Sequence, residues 1–365
     1  ADPGPAAFPA ARPAIELGLQ WLLAHQDKDG RWNADGFMTH DGDQPTDGPG
    51  GATNDVALTG LALFALARRG VAGNGDPRRL AMLRGASWLT KQQRENDGLL
   101  GEAAAHDFVY GHAIGTLGLC ATAAATGDAA LRESAQAAIG YLERHRNPYS
   151  VWRYMPRDND NDTSVTTWAT LSYLAGHELG LEVNRQALQL VATWLDQVTD
   201  QKGRTGYSRA GEPSSRNVKN AKQFPPELGE AMTAAAILCR RALGLDEEAA
   251  PILADAVGLV LAKPPVWQPD TGHVDYCYWF FGTEALRRVG GEPQRAWGEA
   301  LVGALVDSQR ADGAAAGSWD PVDPWGANGG RVYATAMAVL ALQGLAALPD
   351  ADAAAGGGGE RAKAR

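Results

Sequence analysis

The chain has 365 residues, 45% of them apolar, and a formal net charge of −10. That charge leaves no basic face for a phosphate backbone, which argues against nucleic acid as a partner. The apolar share suits a globular chain with a large core. No apolar run reaches the roughly 20 residues of a membrane span, so a soluble protein without a transmembrane segment is expected.

Residues 1–13 are rich in Ala and Pro and read as a flexible N-terminal segment. If Ala1 is an end left by signal cleavage, the protein is periplasmic or secreted; otherwise it is cytoplasmic. The first element is Leu17-Gly18-Leu19-Gln20-Trp21-Leu22-Leu23-Ala24-His25-Gln26, closed by Asp29-Gly30-Arg31-Trp32. Further helices of this kind are marked by Trp88, Tyr141, Trp194, the aliphatic run 257–261 and Leu305, with charged outer residues such as Glu143, Arg144, Asp196 and Arg310. Between them lie runs that are apolar nearly all round: 58–66, 114–121, 165–174, 232–239, 279–286 and 336–345. Such runs suit helices buried on both sides, whereas their partners are amphipathic.

A lone helix pair cannot bury its own apolar face, so repetition implies stacking. Twelve helices in six pairs, an inner apolar ring within an outer amphipathic one, predict an all-α (α/α)6 toroid over 14–348. An Ala/Gly-rich tail over 349–365 reads as flexible. In the first copy, Gln26 is placed to reach backbone groups freed at a helix end, and Trp32 to stack against the next pair. Asp29-Gly30 and Asp97-Gly98 supply the turns. Cys120, Cys239 and Cys277 give no disulfide framework.

The stretch from Gln20-Trp21 through Gln26 to Gly30 and Trp32 resembles the QW repeat of the squalene–hopene cyclase and protein prenyltransferase superfamily. Within it the chain is most similar to compact bacterial prenyltransferase/squalene-oxidase repeat proteins. Tyr110-Gly111-His112-Ala113-Ile114-Gly115-Thr116-Leu117, Trp152-Arg153-Tyr154, Asp162-Thr163-Ser164-Val165-Thr166, Tyr278-Trp279-Phe280-Phe281-Gly282-Thr283 and Gly330-Arg331-Val332-Tyr333-Ala334-Thr335 carry that likeness. The resemblance implies an (α/α)6 barrel with a central cavity, and the inner helices would then all begin at one rim.

The polar candidates at that rim are Asp55, Tyr110, His112, Asp160, Asp162, Glu230, Asp275, Tyr278 and Tyr333, with Trp168 and Trp279 as aromatic lining. The same residue types are also helix caps and inter-repeat packing, and both readings stand. The run Asp158-Asn159-Asp160-Asn161-Asp162-Thr163 is similar to the DxDDT acid motif of class II terpenoid cyclases, which need a carboxylic acid held protonated. Here Asn161 stands at the central acid position, and Asp162, with Asp160 and Glu230, is the acid that remains. Asp275 and Cys277 resemble the Asp-x-Cys zinc pair of prenyltransferase β subunits, although residues 332–335 supply no His to complete it. No cofactor is expected, zinc being the one metal these residues suggest.

Three functions follow from these features. The first is a cyclase-like toroid, an isomerase if active, that binds a hydrophobic isoprenoid-type molecule. The second is a binding or assembly module without chemistry. The third is a carbohydrate-active enzyme with two carboxylates drawn from Asp55, Asp162, Glu230 and Asp275. The oligomeric state is not legible.

Overall fold

A computed structural model of the chain describes residues 8–345, apart from residues 44, 215, 217, 218 and 247–250. The expected tail at 349–365 lies outside the described residues. Among the described residues, twelve α-helices alternate between two rings. The outer ring is α1 (Ala11–Ala24), α3 (Pro77–Lys91), α5 (Ala129–His145), α7 (Arg185–Gln197), α9 (Leu253–Leu261) and α11 (Gly291–Leu305). The inner ring is α2 (Asp55–Arg69), α4 (Phe108–Thr126), α6 (Thr163–Glu178), α8 (Ala231–Ala242), α10 (Tyr276–Val289) and α12 (Gly326–Gln343). Each inner helix packs on the next, and α12 returns to α2, closing the circle. Helix α1 begins three residues earlier than the sequence suggested, and Phe8 packs against the core ahead of it.

The repeat works through one hydrogen-bonding device. Gln26 Nε2 donates to Gly30 O in its own turn (2.7 Å) and to Ala81 O in α3 (2.9 Å). Gln93 does the same with Gly98 O (3.2 Å) and Ser134 O in α5 (2.9 Å). Gln309 bonds Gly317 O (2.8 Å) and Ala14 O in α1 (2.9 Å), joining the last repeat to the first. The tryptophans after these turns are anchored alike: Trp32, Trp152 and Trp319 each donate Nε1 to a Leu carbonyl at 2.8 Å. Buried amide groups satisfied in pairs stitch neighbouring outer helices together.

Helix α4 is long and apolar enough to cross a membrane by length and composition, and 67% of its apolar window is buried. It is an inner-ring helix. Gly60 and Gly118 permit that burial, since a Cβ on Gly60 would lie 2.5 Å from Ile114 O and one on Gly118 2.6 Å from Gly60 O. In α12, Gly330 takes φ +63° where the chain turns into the helix proper, and a Cβ there would meet Gly50 N at 2.5 Å.

Aromatic side chains fill the middle of the barrel. Trp168 of α6 stacks on Phe280 of α10 (5.7 Å, 7° between planes), and Phe281 packs beside them. Helix α8 stands between α6 and α10 in the ring, so this contact crosses the interior. Near the C-terminal ends of the inner helices, Glu284 of α10 is buried among Arg68 of α2 (2.7 Å), Arg287 (3.0 Å) and Arg288 (2.7 Å). Those cations hold its carboxyl far below the usual range although burial opposes them. The inner helices begin at the opposite rim.

Candidate functional site at the start of the inner helices

Carboxylates stand where the inner helices start, and most are met by an arginine from the preceding loop. Asp55 opens α2, accepts Ala34 N (2.8 Å) and pairs with Arg31 (3.1 Å). Burial nevertheless raises its pKa. Glu230 precedes α8 and is gripped by Arg204 (2.8 Å) and Lys263 (2.8 Å). Asp275 caps α10 through Tyr278 N (2.9 Å) and pairs with Arg216 (2.6 Å). Arg31 and Arg204 each follow a turn glycine, so this pairing belongs to the repeat. Each of these carboxylates is tied to a cation at hydrogen-bonding distance, a geometrically specific contact.

Asp162 differs. It is the N-cap of α6, with Oδ1 accepting Val165 N at 2.7 Å, and it is 0% exposed. Its Oδ2 is buried and makes no hydrogen bond. Arg153 Nε lies 3.7 Å from that oxygen, beyond hydrogen-bonding reach, and Arg153 Nη1 instead holds Asp160 at 2.6 Å. Burial pushes the Asp162 carboxyl up to about 7, against the pull of the Val165 N–H, the Tyr207 hydroxyl and Arg153. Three tyrosines surround it. Tyr110 comes from α4, Tyr154 from the loop before α6, and Tyr207 from the loop after α7. The Tyr154 and Tyr207 hydroxyls are hydrogen-bonded, and the Arg153 guanidinium lies over both rings at 5.3 and 5.6 Å.

The backbone of this loop is unusual. Among the described residues, the non-glycine residues with positive φ are Tyr149, Arg157 and Asn159, all in the segment that carries Arg153, Tyr154 and Asp160. Asn147 holds it in shape, donating to Asp160 O (2.6 Å) and Asn161 Oδ1 (3.1 Å) while accepting Asn159 N (2.9 Å). Sparsely populated conformations persist only where surrounding contacts over-determine them. Asn161 Oδ1 also faces Val151 N (3.3 Å), so this amide is turned into the loop.

A second cluster gathers Asp275, Cys277 and Tyr333 with Asp323, which the sequence reading missed. Asp323 accepts Tyr333 OH (3.1 Å), Trp325 N (3.1 Å) and Tyr276 N (3.3 Å). Burial and the Asp275 charge push its carboxyl up to about 8, outweighing those donors. The Asp–Cys pair does not fit zinc. Asp275 is occupied by Arg216 and its own helix, the Cys277 thiol is pushed well up by burial, and no group of three ligands occurs among the described residues.

The remaining candidates make contacts within the fold. His112 takes the place that Thr59, Thr166 and Thr335 hold in other copies, where the side-chain oxygen meets a loop N–H. Its Nδ1 accepts Leu100 N (3.0 Å) and its Nε2 donates to Ala138 O (3.1 Å); burial lowers its pKa to about 3. Tyr278 OH bonds Val260 O and Lys263 O, tying α10 to α9. Trp168 and Trp279 are buried packing residues. Asp160 is a solvent-facing ion-pair partner, 59% exposed. A pocket of about 370 Å³ lies outside the ring, lined by residues that include Trp21, His25, Asp41 and Ala314. Of the histidines that line it, His25 is bonded to Trp21 O (2.7 Å) and Asp41 (2.8 Å), and His40 to Asp27 (2.8 Å).

No family model matches the sequence, and no curated protein matches it. Solved structures do match in fold. The chain is similar to the type II terpene cyclase MstE from Scytonema, in complex with geranylgeranyl dihydroxybenzoate, at 16% identity and TM-score 0.58, over 93% of this chain and 98% of that one. It is similar to the α-1,6-mannanase GH76A of Salegentibacter, in complex with α-1,6-mannotriose, at 12% identity and TM-score 0.59, over 93% and 99%. A Clostridium perfringens α-amylase matches at 11% identity and TM-score 0.56, over 91% and 97%. The chain is an (α/α)6 toroid. At such identities the likeness concerns the scaffold, and function must be argued from the site.

Proposed function

We propose that this toroid is terpenoid-cyclase-like and binds an isoprenoid-type hydrophobic molecule at the tyrosine-lined mouth, with Asp162 as the acid of the site. Asp162 Oδ2 carries the reading: a fully buried oxygen without a hydrogen-bond partner, on a carboxyl poised near neutrality, beside Tyr110, Tyr154 and Tyr207. A general acid works best when its pKa lies near the operating pH. Electron-rich tyrosine faces steady a developing cation. A proton given by Asp162 to an alkene and regained when the product cation loses one leaves substrate and product isomeric. Asn161, at the position that the cyclase motif gives to its central acid, anchors the loop, and Asp162 takes the proton-donating role.

A carbohydrate-active reading has one observation in its favour: Arg153 spans Asp160 and Asp162, an exposed carboxylate beside a protonatable one. Native mass spectrometry separates the two readings, with the protein offered geranylgeraniol or α-1,6-mannotriose. Retention of geranylgeraniol, weakened at least tenfold by Tyr154→Ala, is expected. Retention of the trisaccharide alone would overturn the proposal.

A further inference from the structure

Where the last repeat meets the first, two loops are longer than their counterparts. Gln309 and Gly317 are further apart in sequence than Gln26 and Gly30, and the extra residues form a 3-10 turn, Gly313–Ala315. The link from Trp32 to α2 is likewise longer than that from Trp152 to α6, and it holds a 3-10 turn at Phe37–His40. Both loops are tied to the same stretch of α1: Trp21 Nε1 donates to Ala314 O (2.9 Å), and His25 Nε2 bonds Asp41 (2.8 Å). Between them lies the outer pocket of about 370 Å³. Insertions that enclose space on a repeat scaffold are a common place for binding. The volume stands at the lower end for small-molecule sites and holds roughly a dozen non-hydrogen atoms at ~30 Å³ each.

The two histidines of this pocket differ. His25 uses both ring nitrogens, on Trp21 O and Asp41, and its ring stacks on Trp21 at 3.9 Å, so it is part of the wall. His40 uses only Nε2, on Asp27 Oδ1, and its Nδ1 makes no hydrogen bond among the described residues. Burial works against ionisation of Asp27, but hydrogen bonds from His40, Asn33 and Arg31 outweigh it and hold the carboxyl below the usual range. An ionised carboxylate only accepts, so the His40 hydrogen sits on Nε2 and Nδ1 keeps its lone pair. Beside it, Leu17, Ala24 and Ala316 give the pocket apolar surface, and Leu17 is 48% exposed.

We propose that this pocket binds a hydroxyl-bearing molecule with a compact apolar body, of the size of a substituted phenol, whose O–H donates to His40 Nδ1. The apolar body covers Leu17 and Ala24 and so removes apolar surface from water. Asp27 fixes the tautomer that makes His40 an acceptor at the pocket. An ether of the same skeleton has no hydrogen to donate and loses this contact. The pocket is too small to enclose a chain as long as geranylgeraniol, and it lies outside the ring, so the two sites are independent.

The test is an NMR titration at about pH 8, where an ordinary imidazole is neutral, with 4-propylphenol, its methyl ether and propylbenzene. The phenol should bind about 3–10-fold more tightly than the other two, with shifts centred on His40, Trp21 and Ala314. His40→Phe keeps a ring of similar size without the lone pair, and it should bring the three affinities level. Ala24→Trp fills the pocket and should weaken all three by about tenfold, while its retention of geranylgeraniol stays that of the parent. Equal affinity for the phenol and its methyl ether, or a preference that survives His40→Phe, would overturn the proposal. So would binding that Ala24→Trp leaves unchanged, or a phenol that does not bind at all.

Discussion

Replacing Asp162 with Asn should stabilise the protein, and the effect should grow with pH. The side chain keeps its shape, and an amide oxygen can still accept Val165 N, so the cap of α6 survives. What disappears is the cost of ionising a carboxyl that is 0% exposed. Between the ordinary 3.8 and about 7, the native protein holds a proton that the unfolded chain has released, so stability falls as pH rises through that window. At about 1.36 kcal/mol per pH unit, the full penalty above pH 7 is ~4 kcal/mol. Asp162→Asn should therefore match the parent near pH 4, exceed it by about 2 kcal/mol at pH 5 and by ~4 kcal/mol at pH 8. Urea denaturation followed by circular dichroism from pH 4 to 8 reads this difference, and the comparison cancels other titrating groups such as Asp323. A pH-independent difference, or a variant weaker than the parent at pH 8, would refute the burial argument. Asp162→Ala is the contrasting control, because losing the cap alone costs about 1 kcal/mol.

Three further outcomes follow from the same contacts. His112, one of seven histidines, should show ring resonances that do not titrate between pH 8 and 5 in NMR, because burial lowers its pKa to about 3. Its neutral form stabilises above the unfolded value, and that contribution is lost as pH falls from about 6.5 toward 3. Gln309→Leu strips Ala14 O and Gly317 O of their donor at the ring closure and should cost about 2–3 kcal/mol in urea denaturation, without altering ligand affinity. Glu284→Gln leaves Arg68, Arg287 and Arg288 around an uncharged partner, and a loss of roughly 3 kcal/mol is expected in the same assay.

The scaffold was legible because it repeats. Twelve helices could be placed from Trp21, Trp88, Tyr141 and Trp194 and from the apolar runs between them, whereas Gln26, expected to reach groups freed at a helix end, bonds a turn carbonyl and Ala81 O inside α3. Asp162 was legible too, as the acid that survives in a run where Asn161 replaces another. Its surroundings were not. Tyr207 reaches Asp162 only because Thr163 bonds Tyr207 O (2.9 Å) and Gly206 O (2.8 Å), a contact 43 residues along the chain that no local pattern encodes. Arg153 and Tyr154 lay in a stretch noted for its family likeness, yet their role depends on loop geometry fixed by Asn147. Asp323 precedes an irregular turn at Gly326–Gly330 instead of capping α12 directly, so no helix-start pattern marks it. Trp168 and Trp279 show the converse difficulty. Aromatic residues at helical spacing fit lining and packing equally; Trp168 is buried in a stack with Phe280 of α10, and Trp279 is buried beside Tyr276.

The most direct measurement is a crystal structure of the protein grown with geranylgeraniol. Ligand density is expected at the mouth, against Tyr110, Tyr154 and Tyr207 beside Asp162. Density confined to the outer pocket beside Trp21 and His25, or a mouth that excludes the molecule at saturating concentration, would contradict it.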